Sequence, residues 1–159
     1  MMNRPTPSIA FAKDVALYNE PPLVCSISGE LKVSRKNHVL GAAHFAGRVR
    51  NVWMSVGNCG TDVTNALNIS GEVYINGVSC MTTTPKIAGV SGEAGAQKTT
   101  LVLGDTMIVQ GVVNPAANSF SRGDVFTCNI KLQRTATPAD EIESIVLVVD
   151  LLPDTPVSP

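Results

Sequence analysis

The chain has few of the residues that enzymes use for acid–base or metal chemistry. Its only histidines are His38 and His44. On a strand they would lie about 20 Å apart at ~3.3 Å per residue, and on a helix they would point to different sides, so they cannot share one metal ion. Serine-hydrolase, zinc-peptidase and phosphate-loop motifs are also missing. We therefore predict a protein that is not an enzyme and has no catalytic residues, metal or cofactor.

Long hydrophobic runs are absent as well. The longest purely apolar run, residues 145–149, is far too short to cross a bilayer. The first seven residues, Met-Met-Asn-Arg-Pro-Thr-Pro, lack the apolar stretch of a secretion signal. We expect a protein that is made in the cytosol.

The four cysteines, at positions 25, 59, 80 and 128, show no CxxC or other metal-ligand spacing. Cys128 shares the parity of the apolar residues in an alternating segment. Asn76-Gly77 is a strong signal for a two-residue hairpin turn, which would pair Val73 with Cys80 on an apolar face. We predict that Cys80 and Cys128 are buried, reduced thiols.

Charge of one sign is not in large excess, since 12 basic and 13 acidic residues give a net charge of −1. This balance argues against a nucleic-acid-binding protein. The charges are nevertheless unevenly distributed, because residues 1–50 contain seven basic and three acidic groups. Such a split arises either from a chance distribution of solvent-exposed charges or from a basic region that contacts an acidic neighbour. For the second case we predict contacts from Arg4, Lys13, Arg35 and Lys36.

Period-two alternation is the main structural signal. Residues 125–134 place Phe126, Cys128, Ile130 and Leu132 on one parity and polar side chains on the other, which predicts a half-buried strand. Short strands separated by turn signals predict an all-β fold, an antiparallel β-sandwich or jelly-roll-like domain. The predicted strands are 38–45, 48–56, 66–75, 78–82, 99–103, 107–113, 125–134 and 144–152.

Three segments are predicted along the chain. Residues 1–36 contain four of the ten prolines and no sustained periodicity, so we predict an extended N-terminal arm, with a short helix possible over 8–17. Residues 37–152 form the predicted sandwich domain. Residues 153–159 form a proline-rich C-terminal tail.

The last predicted strand is apolar on both parities. Either it lies in the middle of a sheet that is covered on both faces, or one face is buried against another subunit. We favour the second interpretation slightly, because a two-layer sandwich leaves one face of each sheet outward. Val146, Val148 and Leu151 are the predicted self-association residues.

Aromatic side chains are scarce, with one tryptophan, two tyrosines and four phenylalanines. This scarcity weighs against a lectin, since lectins of this class stack sugars on exposed rings. Phe126 points inward by parity, whereas Trp53, Tyr74 and Phe120 are candidates for exposed rings. For Trp53 the core is the more common environment.

Six segments of the chain resemble small virion proteins of tailed bacteriophages. They cover most of residues 47–138, and no resemblance is found in residues 1–46. The segments are 47–56 (GRVRNVWMSV), 59–67 (CGTDVTNAL), 73–81 (VYINGVSCM), 82–88 (TTTPKIA), 116–125 (AANSFSRGDV) and 132–138 (LQRTATP).

The resemblance implies a capsid decoration, or cement, protein. Such a protein is made in the host cytoplasm and resides on the capsid surface of the virion. Its partners would be the major capsid protein and further copies of itself, commonly as a trimer, with neither nucleic acid nor membrane involved. Two alternatives are a receptor- or carbohydrate-binding β module of a phage fibre or tail, and an unrelated binding domain of the TNF-like jelly-roll type.

Overall fold

The computed structural model describes residues 20–62, 66–89, 93, 95–134 and 138–154. Every regular element in these residues is a β-strand, and no helix among them is long and apolar enough to span a membrane. The strands are β1 (Leu23–Glu30), β2 (Arg35–Ala42), β3 (Gly47–Asn58), β4 (Asn68–Ile75), β5 (Val78–Ser79), β6 (Met81–Thr83), β7 (Lys86–Ala88), β8 (Lys98–Thr99), β9 (Ile108–Val109), β10 (Val112–Val113), β11 (Ser119–Phe120), β12 (Val125–Gln133) and β13 (Glu143–Pro153).

The strands form two antiparallel sheets with interleaved connections. Sheet A has the order β1-β13-β3-β11, with β8 also paired to β3, and sheet B has the order β2-β12-β4-β7-β9, with β5 paired to β4. Strands β6 and β10 form a separate pair. The pairs β1·β13, β2·β12, β3·β8 and β4·β7 are nested in the chain, which is the arrangement of a jelly roll. The predicted fold class is confirmed.

The core lies between the two sheets and follows the alternation of the long strands. Phe126, Cys128 and Ile130 of β12 are fully buried, as predicted. From sheet A, Ile145, Leu147 and Val149 of β13 belong to the same buried cluster. Burying each large apolar side chain contributes roughly 1.5–3 kcal/mol, so this alternation supplies much of the driving force for folding.

The predicted hairpin at Asn76-Gly77 is confirmed. Asn76 and Gly77 have φ values of 49° and 83°, the left-handed pair that a type I′ turn requires. The Cys80 N–H donates a 3.0 Å hydrogen bond to the Val73 carbonyl, so the predicted register is also present.

The predicted arm is wrong for its second half. Residues 23–30 form β1, which pairs with β13 from Leu23↔Val149 onward, and Arg35 and Lys36 begin β2. The prolines at 21 and 22 come just before the strand rather than inside it, and Cys25 is buried by the alternation that follows them. Residues 1–19, with Arg4, Lys13 and the possible helix over 8–17, lie outside the described residues.

The ends of the other predictions also differ. Pro153 belongs to β13 rather than to the tail, and residues 155–159 lie outside the described part. The predicted strands 99–103 and 107–113 shrink to two-residue pieces around a turn at Gly104, which has a φ of 92°. Strands β7 and β11 were not predicted, because two or three residues are too few to show a period.

Cys80 and Cys128 are both fully buried. Burial raises the pKa of Cys80 to about 11. A hydrogen bond with Cys25 and burial raise the pKa of Cys128 above its usual range.

We therefore expect little reaction of either thiol with iodoacetamide at pH 8 in the folded protein, because the thiolate is the reacting species. Mass spectrometry after native labelling, with a urea-unfolded sample as the fully labelled control, measures this. Rapid native labelling of both would contradict their placement.

Candidate functional site

The outer face of sheet B is polar and is set by the alternation of its two central strands. Because Phe126, Cys128 and Ile130 point into the core, Asn129 and Lys131 project outward. The antiparallel register places Glu72 beside Asn129, and Ser70 beside Lys131. The neighbouring strand β7 places Lys86 on the other side of Ser70. Two lysines therefore flank one serine across three strands.

A cleft of about 530 Å³ lies on this face, next to the edge strand β2. We call it the basic cleft, and take it to include the adjacent Lys86. The cleft brings together two of the predicted contact residues, Arg35 and Lys36, with Lys131, which the sequence analysis did not select. The only acidic residue in its lining is Glu72; the lining residues are Ser34, Arg35, Lys36, Ser70, Glu72, Thr84, Asn129, Ile130 and Lys131.

The four basic side chains of the cleft have no acidic partner in the described part of the chain. Arg35, Lys36 and Lys131 are exposed, and Lys86 is half-buried. In contrast, the nearby Lys32 pairs with Glu30 at 2.7 Å, and Arg134 pairs with Glu141 at 2.7 Å. The cleft therefore presents a net positive charge that the described residues do not neutralise.

Hydrogen bonds hold the floor of the cleft in place. The Tyr74 hydroxyl donates to Glu72 Oε2 at 2.7 Å and accepts from Asn129 Nδ2 at 3.1 Å. The backbone N–H of Asn37 donates to Asn129 Oδ1 at 2.8 Å, which ties β2 to the same network. Partial burial and the Glu72 carboxylate raise the pKa of Tyr74, so its hydroxyl remains a donor at neutral pH. This network gives the basic side chains a rigid base.

The basic residues also belong to an edge strand. Two register shifts interrupt the pairing of β2 with β12, near Thr127 and near Asn129. Bulges and positive charges on an edge oppose pairing with a further strand. We therefore expect the basic cleft to bind a partner through side chains rather than by adding a strand to the sheet.

The outer face of sheet A carries the predicted self-association residues in part. Strand β13 lies between β1 and β3, with Ile145, Leu147 and Val149 toward the core and Val146 and Val148 on the opposite face. Leu151 does not lie on this face, because it keeps the core parity, pairs with the buried Val49 and packs against the core cluster.

An apolar row crosses the outer face of sheet A. Val24 is opposite Val148, and Val148 is opposite Trp53. The row continues to Leu101, which shares a small cavity with Trp53. We call these four side chains the outer apolar row. Trp53 is half-buried there, so the expectation that it lies in the core is wrong, whereas Phe120 is buried in the core.

A cleft of about 680 Å³ contains a buried charge cluster. The Lys98 side chain is only 6% exposed and pairs with Glu93 at 2.6 Å and Asp105 at 3.4 Å. Burial alone would lower the pKa of Lys98, but the two carboxylates outweigh it and raise the pKa. Lys98 is therefore protonated at neutral pH and is a poor nucleophile, so we interpret the cluster as an anchor between the loops that carry Glu93 and Asp105.

Metal-binding groups of three or more His, Cys, Asp or Glu residues do not occur within the described ranges. Comparisons with protein-family models, with curated proteins and with solved structures found no match.

Proposed function

We propose that this protein is a structural component of a bacteriophage virion that binds the outside of the capsid and stabilises the head. The observation that carries the proposal is the basic cleft. Arg35, Lys36 and Lys131 stand unpaired on a hydrogen-bonded sheet, where they suit an acidic surface on the major capsid protein. Arg4 and Lys13 precede this domain in the chain and add positive charge to the same kind of contact.

The proposed mechanism is mechanical. A jelly roll is a rigid body, because its inner strands pair on both sides and the two sheets share one core. Several copies joined to one another, as in a trimer, would hold neighbouring capsid subunits through many weak contacts. Linked weak contacts add up to a strong attachment, which resists the outward pressure of packaged DNA. The protein catalyses no reaction in this role. It is made in the host cytoplasm and then acts on the surface of the virion.

Two features of the chain favour this proposal. The resemblance to small virion proteins covers most of residues 47–138, and the jelly roll is a fold that viral shell proteins use. A fold alone does not determine a function. The resemblance therefore supports a phage virion protein, and the basic cleft supports binding to an acidic capsid surface.

Binding to undecorated capsids tests the proposal. Purified protein is mixed with capsids that lack decoration, and co-sedimentation is measured between 50 and 500 mM salt. We expect saturable binding that weakens as salt rises, because exposed charges are screened over about 8 Å at physiological ionic strength. Absence of capsid binding at low salt would overturn the proposal.

A phage receptor- or carbohydrate-binding module is the second candidate. The observation that favours it is Trp53, a half-buried ring that lines a cavity of about 110 Å³ together with Asn51 and Gln110. The accessible part of this ring could stack on a sugar, and the two neighbouring amides could hydrogen-bond to the sugar hydroxyl groups. Binding to host cells or to a glycan array, without binding to capsids, would support this candidate instead.

A further inference from the structure

The outer apolar row is unusual for an outward sheet face. Its ends, Val24 and Leu101, are 47% and 51% exposed, while Val148 between them is only 5% exposed. Alternation along the strands of sheet B places polar side chains on the corresponding outer face, such as Glu72 and Asn129. A contiguous apolar strip on one face of an otherwise ordinary sandwich indicates a surface that another chain segment covers.

Leu101 belongs to this row because the pairing of β3 continues past the end of β8. Ser55 is opposite Thr99. The Thr100 N–H then donates to the Met54 carbonyl at 2.9 Å, and the Met54 N–H donates to Thr100 Oγ1 at 3.0 Å. Trp53 precedes Met54 in β3 and Leu101 follows Thr100, so these two residues come next to each other. Three neighbouring strands at about 4.8 Å spacing, with Leu101 in the turn beyond the third, give the row a length of roughly 14 Å.

The chain itself contains a segment that matches this strip. Residues 9–18 read IAFAKDVALY, in which only Lys13 and Asp14 are charged and the other eight are apolar. Fully extended, ten residues reach about 33 Å, more than twice the length of the row. The segment precedes β1, the edge strand that carries Val24. It therefore has the composition, the length and the attachment point to cover the row.

Two prolines bear on whether this segment covers the row of its own molecule or the row of a second copy. Pro21 and Pro22 are exposed and immediately precede β1 at Leu23. Proline fixes its own φ, and it also keeps the residue before it extended, so residues 20–22 favour an extended path that continues the direction of the strand. Covering Val24 of the same molecule would require the chain to reverse before residue 20 and run back past the prolines, whereas a second copy can be reached without a reversal.

We propose that residues 9–18 of one copy dock on the outer apolar row of a second copy. The inference rests on the self-association part of the proposed function, and it names the surfaces involved. The donated segment and the accepting row are different surfaces, so the assembly closes by reciprocal exchange in a dimer or by head-to-tail contacts in a larger ring. Val146 lies beside the row on the same face and extends the accepting surface.

Trp53 is the only tryptophan and lies within the row, so its fluorescence reports on coverage. A variant lacking residues 2–19 is compared with a control lacking residues 155–159. We expect the full chain and the control to be oligomers by light scattering, with Trp53 shielded. The variant lacking residues 2–19 should be a monomer, with red-shifted emission and at least twofold stronger acrylamide quenching. A synthetic peptide of residues 8–18 should reverse the fluorescence change without restoring the oligomer.

Point variants test the accepting surface. Val24→Asp should prevent assembly, whereas Val39→Asp, at a more exposed valine on the other edge strand β2, should not. Leu101→Asp, outside the strands, repeats the test if Val24→Asp destabilises the fold. The Val24→Asp chain keeps its own donor segment, so mixing it with the chain that lacks residues 2–19 should restore association and shield Trp53.

Each other outcome overturns the inference in a distinguishable way. If the chain without residues 2–19 still assembles, self-association stands but this segment does not mediate it. If the full chain is a monomer with Trp53 shielded by residues 2–19, the segment covers its own row. If the full chain is a monomer and Trp53 is unaffected by the deletion, self-association fails as well. Capsid binding is measured separately, so the proposed function is judged independently of all three.

Discussion

Replacing Leu147 with alanine should lower the free energy of unfolding by about 3 kcal/mol, because a fully buried leucine leaves a cavity that the surrounding core fills only in part. That is a large fraction of the roughly 5–15 kcal/mol by which domains of this size are stable. Urea unfolding at fixed protein concentration measures the change. Val39→Ala, at an exposed valine on strand β2 of the other sheet, is the control, and we expect a cost below about 1 kcal/mol.

The opposite sheet offers a second test of the same contact. Gly71 of β4 lies under Leu147, and a Cβ added there would be only 2.8 Å from Leu147 Cδ1. Gly71→Ala should therefore destabilise the native protein by steric overlap. In the Leu147→Ala background the new methyl group enters the vacated space, so its cost should be smaller. Equal costs in the two backgrounds would show that the sheets do not meet at this pair.

Reversing two charges of the basic cleft should weaken capsid binding by about thirtyfold or more. Each reversal replaces an attraction with a repulsion and costs roughly 1–2 kcal/mol, and 1.4 kcal/mol corresponds to a factor of ten. The variant is Arg35→Glu with Lys131→Glu, two exposed residues of the cleft without acidic partners. Binding isotherms from co-sedimentation at 150 mM salt give the change, and the salt dependence should become weaker in parallel.

The control carries the same change in net charge at other positions. Arg48 and Arg122 are both exposed and lie outside the cleft lining, and the ion pair of Arg48 with Asp154 is an exposed contact of 3.6 Å that contributes little. Arg48→Glu with Arg122→Glu should retain most of the binding. An equal loss in both variants would indicate a general charge effect, and no loss in either would remove the basic cleft from the contact.

Local patterns in the sequence were sufficient to predict which side chains of a single strand are buried and where a hairpin turns. The alternation around Phe126 and Cys128 predicted which side chains of β12 are buried, and Asn76-Gly77 predicted the hairpin that buries Cys80. Both predictions succeed because a period of two and a type I′ turn depend on residues close together in the chain. The parity that Leu151 shares with Leu147 was visible in the sequence, and it agrees with the packing of Leu151 against the core.

The pairing of distant segments was beyond the reach of local patterns. The predicted arm over 1–36 overlooked β1, because its place beside β13 is set by hydrogen bonds between opposite ends of the chain. In the same way, Lys131 joins Arg35 only after β2 pairs with β12, and Trp53 meets Val148 only after β3 pairs with β13.

The sequence by itself therefore determined the fold class, the alternation of the long strands and the burial of Cys80 and Cys128. Only the tertiary structure decided that the chain forms two sheets with nested pairs, and that these carry a basic cleft on sheet B and an apolar row on sheet A. The physical reason is that side-chain direction within a strand is a local property, whereas the neighbour of a strand is selected by the burial of the whole core.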